Sequence, residues 1–109
     1  MSGISTHILD TEKGRPASGV PVTLEHKSGE QHAGEWQLVS DGTTDRNGRI
    51  AQLLLHGEPL QKGVYRLTFR TGGPFFPEVS IVFQVADASA HYHVPLLLSS
   101  YGYTTYRGS

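Results

Sequence analysis

Residue types with useful chemistry gather at four places in this chain. His91-Tyr92-His93 sets two imidazoles two residues apart. His7 lies near the start. Arg49 follows the tight turn Asp45-Arg46-Asn47-Gly48. The sequence ends Tyr106-Arg107-Gly108-Ser109. Six histidines stand in 109 residues, and histidine is the side chain that changes protonation near neutral pH. In a strand, His91 and His93 would point the same way, about 7 Å apart. Such a pair can be two solvated surface histidines, or with a third histidine it can bind zinc. No cysteine is available and no carboxylate is placed to finish a metal shell. Arg49, at the end of a sheet, can be an ordinary exposed arginine. It can also be a fixed guanidinium for a planar ligand rich in carbonyls or negative charge. The tail carries three tyrosines and an arginine between Tyr101 and Ser109, which favours order in a sheet. Its last serine would bring a hydroxyl and a carboxylate together.

Elements of a particular kind must hold these groups. Turn formers recur at short intervals: Gly14-Arg15-Pro16, Ser28-Gly29, Asp41-Gly42, Asn47-Gly48, Lys62-Gly63 and Gly72-Gly73-Pro74. The segments between them alternate apolar and polar residues, which one-sided burial in a sheet requires. The expected strands are Ile4–Asp10, Val20–His26, Trp36–Thr44, Arg49–Leu55, Val64–Arg70, Val79–Val85, His91–Leu98 and Tyr101–Arg107. Eight short strands predict an all-β sandwich or small barrel. The stretch Leu53–Leu60 is broken by Gly57 and Pro59, so it makes no convincing helix. The polar run between Glu25 and Glu35 predicts an exposed loop. Tyr92, Val94, Leu96 and Leu98 make the better core face of the seventh strand. His91, His93, Pro95 and Leu97 take the other, partly apolar face, which suggests cover by another subunit. His7 lies opposite Ile4 and Ile8. His26, His32 and His56 fall to loops or surface.

Composition narrows the function. Nine Lys and Arg against ten Asp and Glu leave a formal charge of −1, which argues against a nucleic-acid binder or a polybasic membrane patch. Zero cysteines exclude a disulfide framework, a thiolate nucleophile and a Cys-based zinc finger. The start, MSGISTHILD, has no basic or long apolar segment and is not expected to be a signal peptide. A single cytoplasmic domain over 1–109 is the expectation.

Taken together, Ile4-Ser5-Thr6-His7-Ile8-Leu9-Asp10, Gly14-Arg15-Pro16-Ala17, Asp45-Arg46-Asn47-Gly48-Arg49, Phe75-Phe76-Pro77-Glu78, His91 to Ser99 and Tyr106-Arg107-Gly108-Ser109 resemble the transthyretin-like family, and within it the 5-hydroxyisourate hydrolase branch. The resemblance spans the chain, and the last four residues are its most specific part. It implies a transthyretin-like β-sandwich of two four-stranded sheets, assembled as a homotetramer with clefts between dimers. It implies hydrolysis of a cyclic amide in urate breakdown without metal or other cofactor. It implies catalytic roles for His7, Arg49, His93 and Ser109, with Tyr106 and Arg107 shaping the substrate site and His91 in support. The family usually carries a longer insertion, often with a short helix, before Phe75-Phe76-Pro77-Glu78. Here Arg70-Thr71-Gly72-Gly73-Pro74 leads straight into it, so that helix should be reduced or absent. A small-ligand carrier of the transthyretin type, a structural sandwich module and a zinc hydrolase built on His91 and His93 are the competing readings.

Overall fold

Alternating burial is the physical signature of this chain's strands, and the computed structural model describes them over residues 2–27, 34–54 and 59–109. The strands are β1 (Gly3–Asp10), β2 (Arg15–Pro16), β3 (Pro21–Lys27), β4 (Gln37–Thr43), β5 (Arg49–Ile50), β6 (Gly63–Phe69), β7 (Val79–Val85), β8 (His91–Leu98) and β9 (Tyr103–Thr105). They form two sheets. The first runs β2-β1-β8-β9, with β5 also pairing with β1, and the second runs β4-β3-β6-β7. No helix occurs among the described residues. The direct connection 70–78 is held by its own bonds, Gly72 N–H to the Pro77 carbonyl (3.0 Å) and the Thr71 hydroxyl to the Phe76 carbonyl.

The inner faces meet in a single core. Ile4, Ile8, Val94 and Leu96 come from the first sheet, and Val22, Leu24, Leu67, Phe69 and Val79 from the second. Burying side chains of this size contributes about 1.5–3 kcal/mol each. Polar groups that enter the core are satisfied. The Thr6 hydroxyl donates to the Val94 carbonyl (2.6 Å), and Thr44 Oγ1 donates to the Ala17 carbonyl while accepting from Val20 N–H.

One strand pairing decides which side chains share a face of the first sheet. β1 and β8 are parallel and register residue for residue from Gly3↔His91 through Ser5↔His93 to Asp10↔Leu98. Every other pair among the described strands is antiparallel. Across a parallel pair, facing residues lie on the same side of the sheet. Ile4, Thr6 and Ile8 thus go inward with Tyr92, Val94 and Leu96. Ser5 and His7 go outward with His91, His93 and Pro95.

Several expected features change. The first sheet has five strands, not four, because β2 forms two pairs with the end of β1. The strand expected over Arg49–Leu55 ends at Ile50. Beyond it the Gln52 side chain takes over the ladder, accepting from Ile4 N–H (3.2 Å) and Leu54 N–H (3.0 Å). Leu53 and Leu54 then both turn into the core, and Leu55 lies outside the described residues. The last strand shortens to Tyr103–Thr105, because Ser99 N–H bonds the Gly102 carbonyl in a turn that takes Tyr101 out of the ladder. His26 is not on the surface. It is 8% exposed on β3, its ring tilted 37° to the Tyr65 ring with centroids 4.5 Å apart, and its Nε2 lies 3.1 Å from the Lys62 carbonyl. His32, His56 and the tip of the predicted polar loop lie outside the described residues.

Candidate active site

Arg49 owes its position to a turn pinned onto β1. The Asp45 carboxylate accepts N–H bonds from Asn47 (2.8 Å) and Arg49 (3.0 Å), and Gly48 N–H closes the turn on the Asp45 carbonyl (2.9 Å). These bonds hold the Asp45 carboxyl below the usual carboxylate range, the Arg49 backbone contributing most. Gly48 has φ +73° and accepts from Ile8 N–H at 2.8 Å. A Cβ at Gly48 would lie 2.5 Å from the Ile8 carbonyl oxygen, so both the backbone sign and the space call for glycine. The turn delivers Arg49 directly across from His7 in the β1–β5 pair.

The histidines come from the parallel pair. Ser5, 8% exposed, has its Oγ 2.7 Å from His93 Nδ1 and 2.8 Å from His91 Nε2. The tail then folds back over β8. After β9 it leaves the ladder and returns at Gly108, whose N–H bonds the His93 carbonyl (2.8 Å). A Cβ at Gly108 would meet His93 Cδ2 at 2.6 Å. Glycine alone lets the backbone come this close to the imidazole, and the approach delivers Ser109.

The result is an open cleft of about 270 Å³, with Ser5, Arg49, His91, His93 and Ser109 among its walls. His7 stands beside it, half-buried and paired with Arg49. Another cleft of equal volume, near Asp10, Phe76 and Leu98, has no histidine or arginine in its lining. Tyr106 and Arg107 do not line the histidine cleft. They face the gap between β7 and the tail. There the Arg107 guanidinium sits 4.3 Å over the Tyr92 ring and reaches the His91 carbonyl at 3.5 Å.

Electrostatics favour the neutral forms of His7 and His93. Burial lowers the His93 pKa first, and Arg49, His7 and His91 lower it further. Burial and then Arg49 lower His7, against opposing pulls from the Asn47 backbone and Asp45. Two such bases beside the exposed guanidinium of Arg49 can accept a proton and stabilise a developing oxyanion. Among the described residues, no three His, Asp or Glu side chains come together as a metal-binding group. Ser5 is the residue that sequence reasoning passed over. Its signal was the outward face it shares with His7, two residues on.

Comparisons with known proteins find relatives over nearly the whole chain. A 5-hydroxyisourate hydrolase of Caulobacter vibrioides is 44% identical over 121 residues, covering the whole of both chains. The structure of Klebsiella pneumoniae 5-hydroxyisourate hydrolase superposes with a TM-score of 0.82 at 35% identity, covering 99% of this chain and all of that one. Transthyretin from Sparus aurata superposes with a TM-score of 0.85 at 31% identity, covering 99% of this chain and 97% of that one. The family model described as HIUase/Transthyretin matches residues 4–108, the span that holds both sheets, the Asn-Gly turn and the HYH strand, and the chain belongs to that family.

Proposed function

We infer that this chain is a 5-hydroxyisourate hydrolase acting in urate breakdown. The observation that carries the reading is the convergence of His93, Arg49 and Ser109 on one cleft, with His7 registered against Arg49. Water adds to a ring carbonyl carbon of the planar oxidised purine. The ring C–N bond breaks, one water proton passes to the leaving nitrogen, and the product is 2-oxo-4-hydroxy-4-carboxy-5-ureidoimidazoline. His7 and His93 orient and deprotonate the water, which their neutral state at pH 7 allows. Arg49 holds a substrate carbonyl and stabilises the oxyanion that forms on it. Ser109 hydrogen-bonds the substrate or the water. Arg107 fixes the tail through Tyr92 and the His91 carbonyl, and Tyr106 helps form the wall between copies. The reaction uses no metal or other cofactor.

A protomer of 109 residues has room for one core and none for an enclosed purine site, and its cleft is open. An open cleft calls for a second copy to close it, and the transthyretin-like family implies a homotetramer, a dimer of dimers, which we place in the cytoplasm. A transthyretin-type carrier is the second reading, favoured by the Sparus aurata superposition. One assay separates them. Freshly made 5-hydroxyisourate is followed by ultraviolet absorbance, with a chelator present, using the wild-type chain and His93→Ala. Hydrolysis well above the spontaneous rate is expected, with a loss of about 10²–10⁴-fold in the variant. Spontaneous decay alone with wild type refutes the hydrolase. Unchanged turnover in an intact His93→Ala assembly refutes the role of His93.

A further inference from the structure

We propose that Ser5 is a positioning residue that couples the tautomer of His93 to that of His91. The proposal deepens the hydrolase reading and rests on it for its catalytic consequence. Ser5 Oγ contacts His93 Nδ1 at 2.7 Å and His91 Nε2 at 2.8 Å at once. A hydroxyl has one proton to give, and a neutral imidazole has one N–H. The oxygen could accept from both rings, but the Ser5 proton would then have no protein partner, so the arrangements that use it have the hydroxyl donating to one ring and accepting from the other. Two arrangements satisfy this. In the first, Ser5 donates to His91 Nε2 and accepts from His93 Nδ1–H, so His93 Nε2 carries a lone pair. In the second, every direction reverses. His93 Nε2 then carries a proton and cannot serve as a base.

The fold builds this triad from residues 88 positions apart in sequence. Parallel register sets Ser5 across from His93, while Gly3, across from His91, has no side chain to separate His91 from Ser5. With Nδ1 held by Ser5, Nε2 is the His93 nitrogen left for the cleft. The groups that act on the His93 charge are Arg49 on β5, His7 on β1 and His91 on its own strand, and Ser109 of the tail lines the same cleft. The Arg107 guanidinium stands at the His91 carbonyl. The Arg49 cation favours the first arrangement, because a lone pair in the cleft is attracted where an N–H is repelled. Exposed His91 can satisfy its Nδ1–H with water.

The test reads the tautomer directly. Ring-¹⁵N NMR of the full chain at pH 8 should show His93 mainly as Nδ1–H, and Ser5→Ala and His91→Phe should both shift it toward the Nε2–H form. In the hydrolysis assay Ser5→Ala should lose about 10–100-fold in kcat, a range typical of outer partners that orient a histidine. KM should stay within about 2-fold, since uniform binding is untouched, and Ser5→Thr should restore the rate. A His93 tautomer unchanged in both Ser5→Ala and His91→Phe overturns the coupling. So does a wild-type spectrum dominated by Nε2–H. If the tautomer shifts as expected but the wild-type chain hydrolyses nothing, the coupling stands and the hydrolase reading fails.

Discussion

Replacing Gly108 with alanine tests the site at its tightest point. The added Cβ would stand 2.6 Å from His93 Cδ2, 3.3 Å from Cγ and 3.6 Å from Cβ. Carbon atoms in favourable contact lie about 3.5–4.0 Å apart, so something must move by about 1 Å. Gly108 is not among the glycines at positive φ, so the penalty is steric and local. Either the tail lifts, stretching the 2.8 Å bond from Gly108 N–H to the His93 carbonyl, or the ring turns, breaking the 2.7 Å contact with Ser5. Both outcomes displace a reacting group, and misplacement by about 1 Å costs on the order of 10²-fold in rate. The fold loses little. One hydrogen bond contributes about 1 kcal/mol, which lowers Tm by about 4–8 °C in a domain of this size. The assay pairs initial rates on freshly made 5-hydroxyisourate with thermal unfolding followed by circular dichroism. Gly102→Ala is the control, because its Cβ meets only Ser99 Oγ at an ordinary 3.6 Å. Gly108→Ala with more than half the wild-type rate would refute the close approach as a catalytic constraint, as would an equal loss in Gly102→Ala.

Other perturbations separate the charges from the packing. Arg49→Gln removes a cation that depresses both His7 and His93. The acid limb of the rate profile should move to higher pH while kcat/KM falls by about 10²-fold or more, and a limb that stays in place contradicts the assigned field. Stability should also fall on acidification. Both histidines have folded pKa values below their unfolded value of about 6.5, so the unfolded chain binds protons first. Their contribution is fully present above about pH 6.5 and is lost as pH drops through the lowered folded values. Urea midpoints at pH 8 and pH 5 check this, and the difference should shrink in His7→Gln/His93→Gln. Leu96→Ala, at a fully buried position on β8, should cost about 2–5 kcal/mol by urea unfolding, with kcat of the folded protein preserved.

Alternation made β7 and β8 legible to the residue, because both strands bury one face against a single core. It failed where a side chain replaced the backbone. Gln52 satisfies Ile4 and Leu54, so the chain leaves the sheet after Ile50 with its apolar residues still pointing inward, and nothing in the alternation marks that exit. β2 is two residues long and too short to have a period. His26 shows the opposite error. It follows Val22 and Leu24 at period two and so belongs on the core face, yet its polar type suggested the surface. Tyr65 and the Lys62 carbonyl make its burial possible. For the site, His7, Arg49 and His93 were visible as types and positions. Their meeting was not, because it depends on parallel pairing between the two ends of the chain, a contact no local pattern encodes. Ser5 stayed hidden for the same reason. It gains chemical meaning only once His93 stands across from it.

The pleat lets so small a chain hold both a core and a reactive surface. β1 and β8 each send alternate residues to opposite sides, so Ile4, Ile8, Val94 and Leu96 hold the sheets together while Ser5, His7, His91 and His93 face the cleft side. The two sets share a backbone but point to opposite faces of the sheet, and sites without shared partners contribute nearly additively. Loss of packing should then appear in unfolding and loss of chemistry in turnover, with one informative exception. Thr6 points inward and bonds the Val94 carbonyl at 2.6 Å. It adjoins Ser5 in the chain, and Val94 adjoins His93, so this bond fastens the strands that carry the reacting face. Thr6→Val keeps shape and removes only that bond. It should destabilise the fold by about 1–3 kcal/mol through the unpaired carbonyl, and it should also loosen the Ser5–His93 register enough to lower kcat. A Thr6→Val protein with lowered stability and unchanged kcat would show that the two faces of the sheet are independent even here.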